Sequence, residues 1–532
     1  MIAFRRKPFA HQLAALEFTA ARQEFALLME QGTGKSFVLM NDAARRWSCG
    51  ELSGVFILAP NGVHTNWCLR ELPQDMPEGV PWRAAPFFSD ANKAERAAME
   101  ALFEPSSEKP LRFLTMNWEA LITDKGFAAA EKFCTLMRDK GRGLMIAGDE
   151  SQRVKSPSSQ RFKALKRLRP LSKARAILSG TPITNAPFDA FSQFGFLDPE
   201  ILETTSFTAF KAEYAQLMPG RHGLMRHLDQ RWLPALQKKY SHIQNPQERS
   251  NAIERELARR RPQIVMKDEA TGRPLWRNLG RLEALIAPHS FRVLKKDCLD
   301  LSEKIYTQRY FRLTRKQLDA YNLLQDELRL QLFDDTLAPL ARIASITKLS
   351  QVVSGYFIVP GTDEVQRIMP PEDNPRLAAL LDELEDADGQ VIIWARFRAE
   401  LEDIAHALLA EEIPFVQYHG GITARGRSEA IDSFQGGAAR VFLGQQAAGG
   451  TGITLTAASA VIYYSNTWSL EDRLQSEDRA HRIGQKGAVR YIDLLAQGTI
   501  DEKIVDALRG KINLASIVTG DARRAAALLG FS

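Results

Sequence analysis

Five consecutive residues, Gly32-Thr33-Gly34-Lys35-Ser36, carry the first recognisable chemistry in this chain. They follow the apolar run Phe25-Ala26-Leu27-Leu28 and precede a helix-like stretch from Phe37 to Trp47, in the order strand, glycine loop, helix. Such a loop points backbone N–H groups and a helix N-terminus at a polyphosphate. A lysine then reaches the β and γ phosphates and a hydroxyl ligates Mg2+. Lys35 and Ser36 stand in those places. The usual pattern has a further glycine where this chain has Met29, so the match is to Gly-x-Gly-Lys-Ser. A second element, Gly148-Asp149-Glu150-Ser151-Gln152, ends the apolar run Leu144 to Ala147. Asp149 can hold Mg2+, and Glu150 can position or deprotonate the attacking water. Adjacent acids alone are common at helix caps. In one lobe with Lys35 and Ser36 they read as the complementary half of a Mg-nucleotide site.

Both elements need strands to present them. Candidate strands are Phe25 to Met29, Gly54 to Ala59, Arg112 to Met116, Leu144 to Ala147 and Ala176 to Leu178. Short apolar runs between helical stretches predict a parallel sheet covered on both faces, with its ligand at the carboxyl ends of the strands. Residues 199–372 read as a mostly helical insertion and linker. They contain a basic stretch from Arg231 to Arg261, amphipathic patterns over Arg315 to Leu332 and Leu340 to Val353, and a turn-rich close at Pro370 to Pro375. The α/β alternation returns with Val391 to Trp394, Phe415 to Tyr418, Val441 to Leu443, Val461 to Tyr464 and Tyr491 to Leu495. A last amphipathic helix, Thr499 to Arg509, places Ile500, Ile504 and Leu508 on one face. The expected division is therefore a first lobe at 1–198, the insertion at 199–372, a second lobe at 373–510 and a tail at 511–532.

Composition bounds the class. The 532 residues suit roughly three or four domains, and 45% hydrophobic residues suffice for large cores. Lys and Arg outnumber Asp and Glu by 70 to 64, a net +6 that mildly favours a polyanionic partner. Cys49, Cys68, Cys134 and Cys298 form no Cys-x-x-Cys pair, so neither a zinc site nor a disulfide framework is expected. A reduced, cytoplasmic setting follows. No apolar region follows Arg5-Arg6-Lys7, and no window approaches the length of a membrane span.

Gly32 to Ser36, Asp149-Glu150-Ser151-Gln152 and Ser179-Gly180-Thr181-Pro182 resemble motifs I, II and III of superfamily 2 helicases. Pro8-Phe9-Ala10-His11-Gln12 resembles the upstream element whose glutamine reads adenine. Arg153-Val154-Lys155-Ser156-Pro157-Ser158-Ser159 is similar to the SNF2 branch, and it opens a run to Arg175 with nine basic and no acidic residues. Such a run fits DNA backbone contact, or in part an exposed helix face. Tyr418-His419-Gly420-Gly421, Ala448 to Thr456 and Gln475 to Gln485 look like motifs IVa, V and VI of SNF2-type ATPases. Phe291 to Leu301 resembles the SNF2 linker, and Thr499 to Leu508 the closing brace helix. The resemblance covers about residues 8–510, in the compact form of stand-alone bacterial and bacteriophage proteins.

The resemblance implies two RecA-like parallel-sheet lobes and an ATP- and Mg2+-dependent hydrolase. It carries catalytic roles to Lys35, Glu150, Arg479 and Arg482, ATP binding to Gln12, Gly32, Thr33, Gly34, Lys35 and Ser36, and Mg2+ binding to Ser36 and Asp149. Coupling falls to Gln152, Ser179, Thr181, Gly450 and Gln475. DNA contacts fall to Thr65, Asn66, Thr115, Arg153, Lys155, His419, Gly420 and Thr451. Arg479 and Arg482 lie three apart, so a helix would bring both to one face as arginine fingers. The competing reading pairs them with Glu477 or Asp478. His419 and His481 are expected to hydrogen-bond within their motifs. The chain departs from the family at Gln31 for methionine, Gln152 for histidine and Thr454 for asparagine. The expected activity is translocation on double-stranded DNA without strand separation. The alternatives are a nucleotide-switched clamp or displacement module and an unwinding DNA or RNA helicase. A small-molecule P-loop kinase is disfavoured by the finger-bearing second lobe. No nuclease constellation is visible, so cleavage would fall to a partner nuclease.

Overall fold

The computed structural model describes residues 3–139, 143–219, 226–260, 263–268, 274–298, 301–333, 347–359, 362, 364–446, 453–482, 484–485 and 487–518. Six strands come first: β1 (Glu24–Met29), β2 (Gly54–Ala59), β3 (Trp82–Pro86), β4 (Leu111–Asn117), β5 (Leu144–Asp149) and β6 (Ala174–Leu178). A small antiparallel pair, β7 (Leu217–Pro219) and β8 (Gln263–Val265), follows within the helical insertion. Then come β9 (Ser290–Val293), β10 (Lys304–Phe311) and a second antiparallel pair, β11 (Tyr356–Ile358) and β12 (Val365–Arg367). The last strands are β13 (Gln390–Ala395), β14 (Phe415–Tyr418), β15 (Val441–Gln445), β16 (Ala458–Tyr463) and β17 (Val489–Ala496).

Two sheets organise the molecule. The first has order β3-β4-β2-β5-β6-β1-β9 and the second β10-β17-β16-β13-β15-β14. Every neighbouring pair in both is parallel. Alternation along the strands splits each lobe's core in two. In β1, Phe25, Leu27 and Met29 join one apolar cluster while Ala26 and Leu28 join the other. In β13, Val391, Ile393 and Ala395 oppose Ile392 and Trp394 in the same way. Strands buried on both faces read as continuous apolar runs, which is why the sequence marks them.

Three of the four edge strands lack that signal; β14, at the far edge of the second sheet, was legible. Trp-Arg-Ala-Ala-Pro forms β3 at one edge of the first sheet, and Ser-Phe-Arg-Val forms β9 at the other. Lys304–Phe311 mixes polar and apolar residues without alternation, lies largely exposed and edges the second sheet beside β17. The segment 199–372 therefore gives one edge strand to each sheet, β9 to the first and β10 to the second. The expected helix over Arg315 to Leu332 is Arg315–Phe333. That from Leu340 begins outside the described residues, and 347–353 is helical. The closing helix runs Ile500–Val518 and buries Ile500, Ile504 and Leu508. Among the described residues no helix is long and apolar enough to cross a membrane.

Candidate active site

The glycine loop sits at the carboxyl end of β1, and the helix Lys35–Ser48 begins directly after it. Gly34 caps that helix in the left-handed region at φ 94°, and a Cβ there would lie 2.1 Å from Gln12 Nε2. Glycine is required on both counts. Lys35 is buried, its Nζ donating to the Met29 carbonyl at 2.9 Å and the Glu30 carbonyl at 3.4 Å. Thr33 closes the loop through its hydroxyl to the Glu30 carbonyl.

Gln12 stands against the glycine loop. Its Nε2 donates to the Thr33 carbonyl at 3.2 Å and its Oε1 accepts from Phe9 N, with the side chain 3% exposed. Here it braces the glycine loop from behind, and the neighbouring His11 Nε2 lies 2.8 Å from the same carbonyl.

Asp149 ends β5 beside the loop. Trp67 Nε1 donates to its Oδ2 at 3.1 Å. Burial first, then the Glu150 charge, pushes its carboxyl up to about 7, opposed by Lys35 and the Trp67 hydrogen bond. Glu71 is a further, half-buried acid close to Asp149. Burial and Asp75 raise its carboxyl, while its hydrogen bond with Ser36 and the charges of Arg6 and Arg482 pull it down. Neither Trp67 nor Glu71 follows from the motifs. They begin and end a π-helical turn, Trp67–Glu71, a distortion frequent at functional sites. Among the described residues no group of three or more His, Cys, Asp and Glu could hold a metal alone. Ser36 and Asp149 still suit Mg2+, which keeps several waters and takes one or two carboxylates plus substrate phosphates. A buried, anion-rich pocket whose aspartate is pushed toward neutrality fits a cation.

Glu150 has φ 50°, a left-handed conformation that non-glycine residues adopt at a cost and often at active sites. Its Oε2 accepts from Gln152 Nε2 at 2.8 Å, Gln152 Oε1 accepts from Ser179 Oγ at 2.8 Å, and Ser179 Oγ accepts from Thr181 N. Motifs II and III are thus joined through the glutamine that replaces the family histidine.

The second lobe presents the helix Leu470–Ala480 to this site. Arg479 lies in its last turn, but the helix ends at Ala480, so Arg482 stands beyond it and the expected shared helical face does not form. The His481 backbone (φ -93°, ψ 79°) leaves the helix. Both arginines nevertheless feel acids of the first lobe, Arg479 that of Glu150 and Arg482 that of Glu71. Arg479 is 0% exposed, and none of its three guanidinium nitrogens has a hydrogen-bond partner among the described residues. Burial, then the Arg482 charge, lowers it to about 10. Arg482 donates to the Ile453 carbonyl. Glu477 and Asp478 make their ion pairs with other cations. Glu477 pairs with Lys304 and Arg473, and Asp478 with Lys295 and Lys304. Lys295 is a further link that the motifs did not show. Its backbone N donates to Glu30 Oε2 at 2.6 Å, and its buried Nζ reaches Asp478 at 2.9 Å and the His481 carbonyl at 2.8 Å.

The remaining residues divide. Thr65 and Asn66 lie on the helix Val63–Asn66 at the carboxyl end of β2, partly exposed. Thr115 is fully buried and its hydroxyl donates to the His64 carbonyl at 2.7 Å, so it supports that helix and presents no contact surface. Arg153 is exposed and 3.5 Å from Glu471, while Lys155 donates to Thr184 Oγ1. His419 is buried and its Nδ1 accepts from Gly421 N, whereas Gly420 is exposed with open space around it. Gln475 lies 3.5 Å from Glu471. Gly450 and Thr451 lie outside the described residues.

Comparison with known proteins gives two family matches. The SNF2-related domain matches residues 113–351 and the helicase conserved C-terminal domain residues 375–484. The chain is 26% identical over 417 residues to the TATA-binding protein-associated factor mot1 of Aspergillus fumigatus, covering 70% of this chain and 19% of that protein. It is 24% identical over 498 residues to the chromodomain-helicase-DNA-binding protein 1 of Gallus gallus, covering 92% of this chain and 25% of that protein. The chain thus spans a quarter or less of the length of these relatives. A Sulfolobus solfataricus SWI2/SNF2 ATPase core solved with dsDNA aligns over 97% of this chain and 94% of that one, at 22% identity and a TM-score of 0.38. With both family matches falling on lobes whose motifs stand in the expected order, the chain belongs to the SNF2-type ATPases of helicase superfamily 2.

Proposed function

We propose that this chain hydrolyses ATP in the cleft between its lobes and uses the cycle to move along double-stranded DNA without separating the strands. The observation that carries this reading is Arg479, a fully buried guanidinium without a hydrogen-bond partner among the described residues, within electrostatic reach of Glu150 across the cleft. A buried unpaired charge is expensive, and a transferring phosphoryl group is the anion that would compensate it. In this reading Lys35 leaves its loop carbonyls for substrate phosphates, and Glu150, oriented by Gln152, accepts the proton of the attacking water. Ser36 and Asp149 would hold Mg2+, which neutralises charge on the phosphates. Because the groups needed lie on both lobes, turnover depends on how the lobes are seated, and anything gripping both lobes gains control of the rate.

Duplex DNA is the proposed gripping partner. The exposed Arg153 and Gly420, one on each lobe, supply a cation and an unobstructed backbone for phosphate contact. One relative carries DNA binding in its name. The test is ATP turnover without nucleic acid and with duplex DNA, single strands or RNA, followed by triplex displacement. Strong stimulation by duplex with triplex displacement is the expected result. Stimulation without displacement would favour the clamp, and preference for RNA or single strands the unwinding helicase.

A further inference from the structure

The helix Leu470–Ala480 carries Glu471, Gln475 and Arg479 at i, i+4 and i+8 on its side toward the first lobe. Gln475 lines a cavity of ≈ 60 Å³ together with Glu150 and Thr181 of the first lobe. Glu471 reaches further along the same seam. Its Oε1 lies 3.5 Å from Arg153 Nε and 3.5 Å from Gln475 Nε2, and the Gln152 amide, next in the chain to Arg153, bears on its carboxylate. Gln152 is 1% exposed and already bonds Glu150 and Ser179. An amide has two N–H donors and a carbonyl, so it can serve Glu150, Glu471 and Ser179 together. An imidazole, with two ring nitrogens, serves two partners. Glutamine at 152 and an acid at 471 thus form one unit that a histidine at 152 could not complete.

We infer that Glu471 is an inter-lobe positioning residue: docked on Gln152 and Arg153, it makes the orientation of the Glu150 carboxylate depend on the seating of the second lobe. This rests on the ATPase reading above and names a contact through which lobe position reaches the catalytic carboxylate. When the second lobe withdraws, the Gln152–Arg153 corner loses Glu471, and the Gln152–Glu150 bond is left without that second-lobe support. Burial also raises the Glu471 carboxyl, opposed by Arg153 and the Gln152 amide, as expected of an acid held in a closed seam.

The test is a double-mutant cycle on ATP turnover at saturating duplex DNA. Glu471→Ala is expected to lower kcat about tenfold with KM for ATP within about twofold, a coupling in the range seen for contacting residues. Glu471→Gln should restore most of the loss, because its carboxamide oxygen still accepts from Gln152. In a Gln152→Ala background Glu471→Ala should cost little more. Additive losses, a wild-type kcat in Glu471→Ala, a change confined to KM, or equal loss in the Gln and Ala variants would each overturn the assignment. Should Glu471→Ala fail to fold, Gln152→His carries the test, since the imidazole must release one partner. A lowered kcat with unchanged KM supports the role, and wild-type kcat refutes it. If duplex DNA leaves wild-type turnover unstimulated, the motor reading fails, and the same cycle on basal turnover still decides Glu471. Absence of hydrolysis under all conditions overturns both.

Discussion

Arg473 and Arg479 are six positions apart on one helix, both buried, and they live in opposite electrostatic worlds. Arg473 donates to Glu477 at 2.8 Å and to Asn466 at 2.9 Å, pairs with Asp493, and lies 3.6 Å over the Tyr463 ring. Despite its burial, Asp493 and its neighbours raise it well above the usual arginine range. Arg479 has no hydrogen-bond partner among the described residues, and burial beside Arg482 lowers it. The first is held by the lobe it belongs to. The second has no such partner: Asp478 of its own lobe and Glu150 of the first act on it only through their charges. The contrast supports the proposed role of Arg479 without reference to motifs, because folding alone gives no return for burying a guanidinium that makes no hydrogen bond.

The sharpest way to break the comparison is Arg479→Ala. Turnover should fall about 10³-fold, or ~4 kcal/mol of transition-state stabilisation, while thermal stability holds or rises because an uncompensated buried charge is removed. Lysine should rescue poorly, lacking the planar fork. Near-normal turnover in a folded variant would end the finger assignment. Arg473→Ala should show the reverse pattern, losing about 3–5 kcal/mol of stability as Asp493 and Glu477 are left buried without it. A calorimetric scan showing an unchanged second-lobe transition would refute that. A smaller effect is expected from Lys295→Met. Lys304 still faces Asp478 at 3.6 Å, so stability should fall by only on the order of 1–2 kcal/mol. Its distinguishing mark is a raised KM for ATP, since the Glu30 end of the glycine loop loses its tie to the second lobe. The smallest effect is Arg153→Ala. The slope of log DNA affinity against log salt should shrink by about 0.9, one phosphate's share, and an unchanged slope would remove Arg153 from the DNA surface.

Much of the nucleotide site was readable locally. Lys35, Ser36, Asp149 and Glu150 stand at the carboxyl ends of two strands that are buried on both faces and so appear as uninterrupted apolar runs. What failed was inference across an element's end. Spacing alone placed Arg479 and Arg482 on one helical face, but three-residue spacing has meaning only while the helix lasts, and it stops at Ala480. Thr115 failed for a related reason. Its position on β4 was right for a contact loop, yet its hydroxyl turns inward to the His64 carbonyl.

The sequence by itself determined which residues could do chemistry and which segments could be central strands, because both are written in short-range patterns of residue type. Only the tertiary structure decided who meets whom. Trp67 on Asp149, Glu71 at Ser36, Lys295 between Glu30 and Asp478, and Glu471 on the Gln152–Arg153 corner each join residues far apart in the chain. Edge strands β3, β9 and β10 were likewise settled by pairing with a neighbour already in place. Long-range partners leave no periodicity behind, since a buried tryptophan or lysine satisfies its own segment's pattern wherever its polar atom finally points.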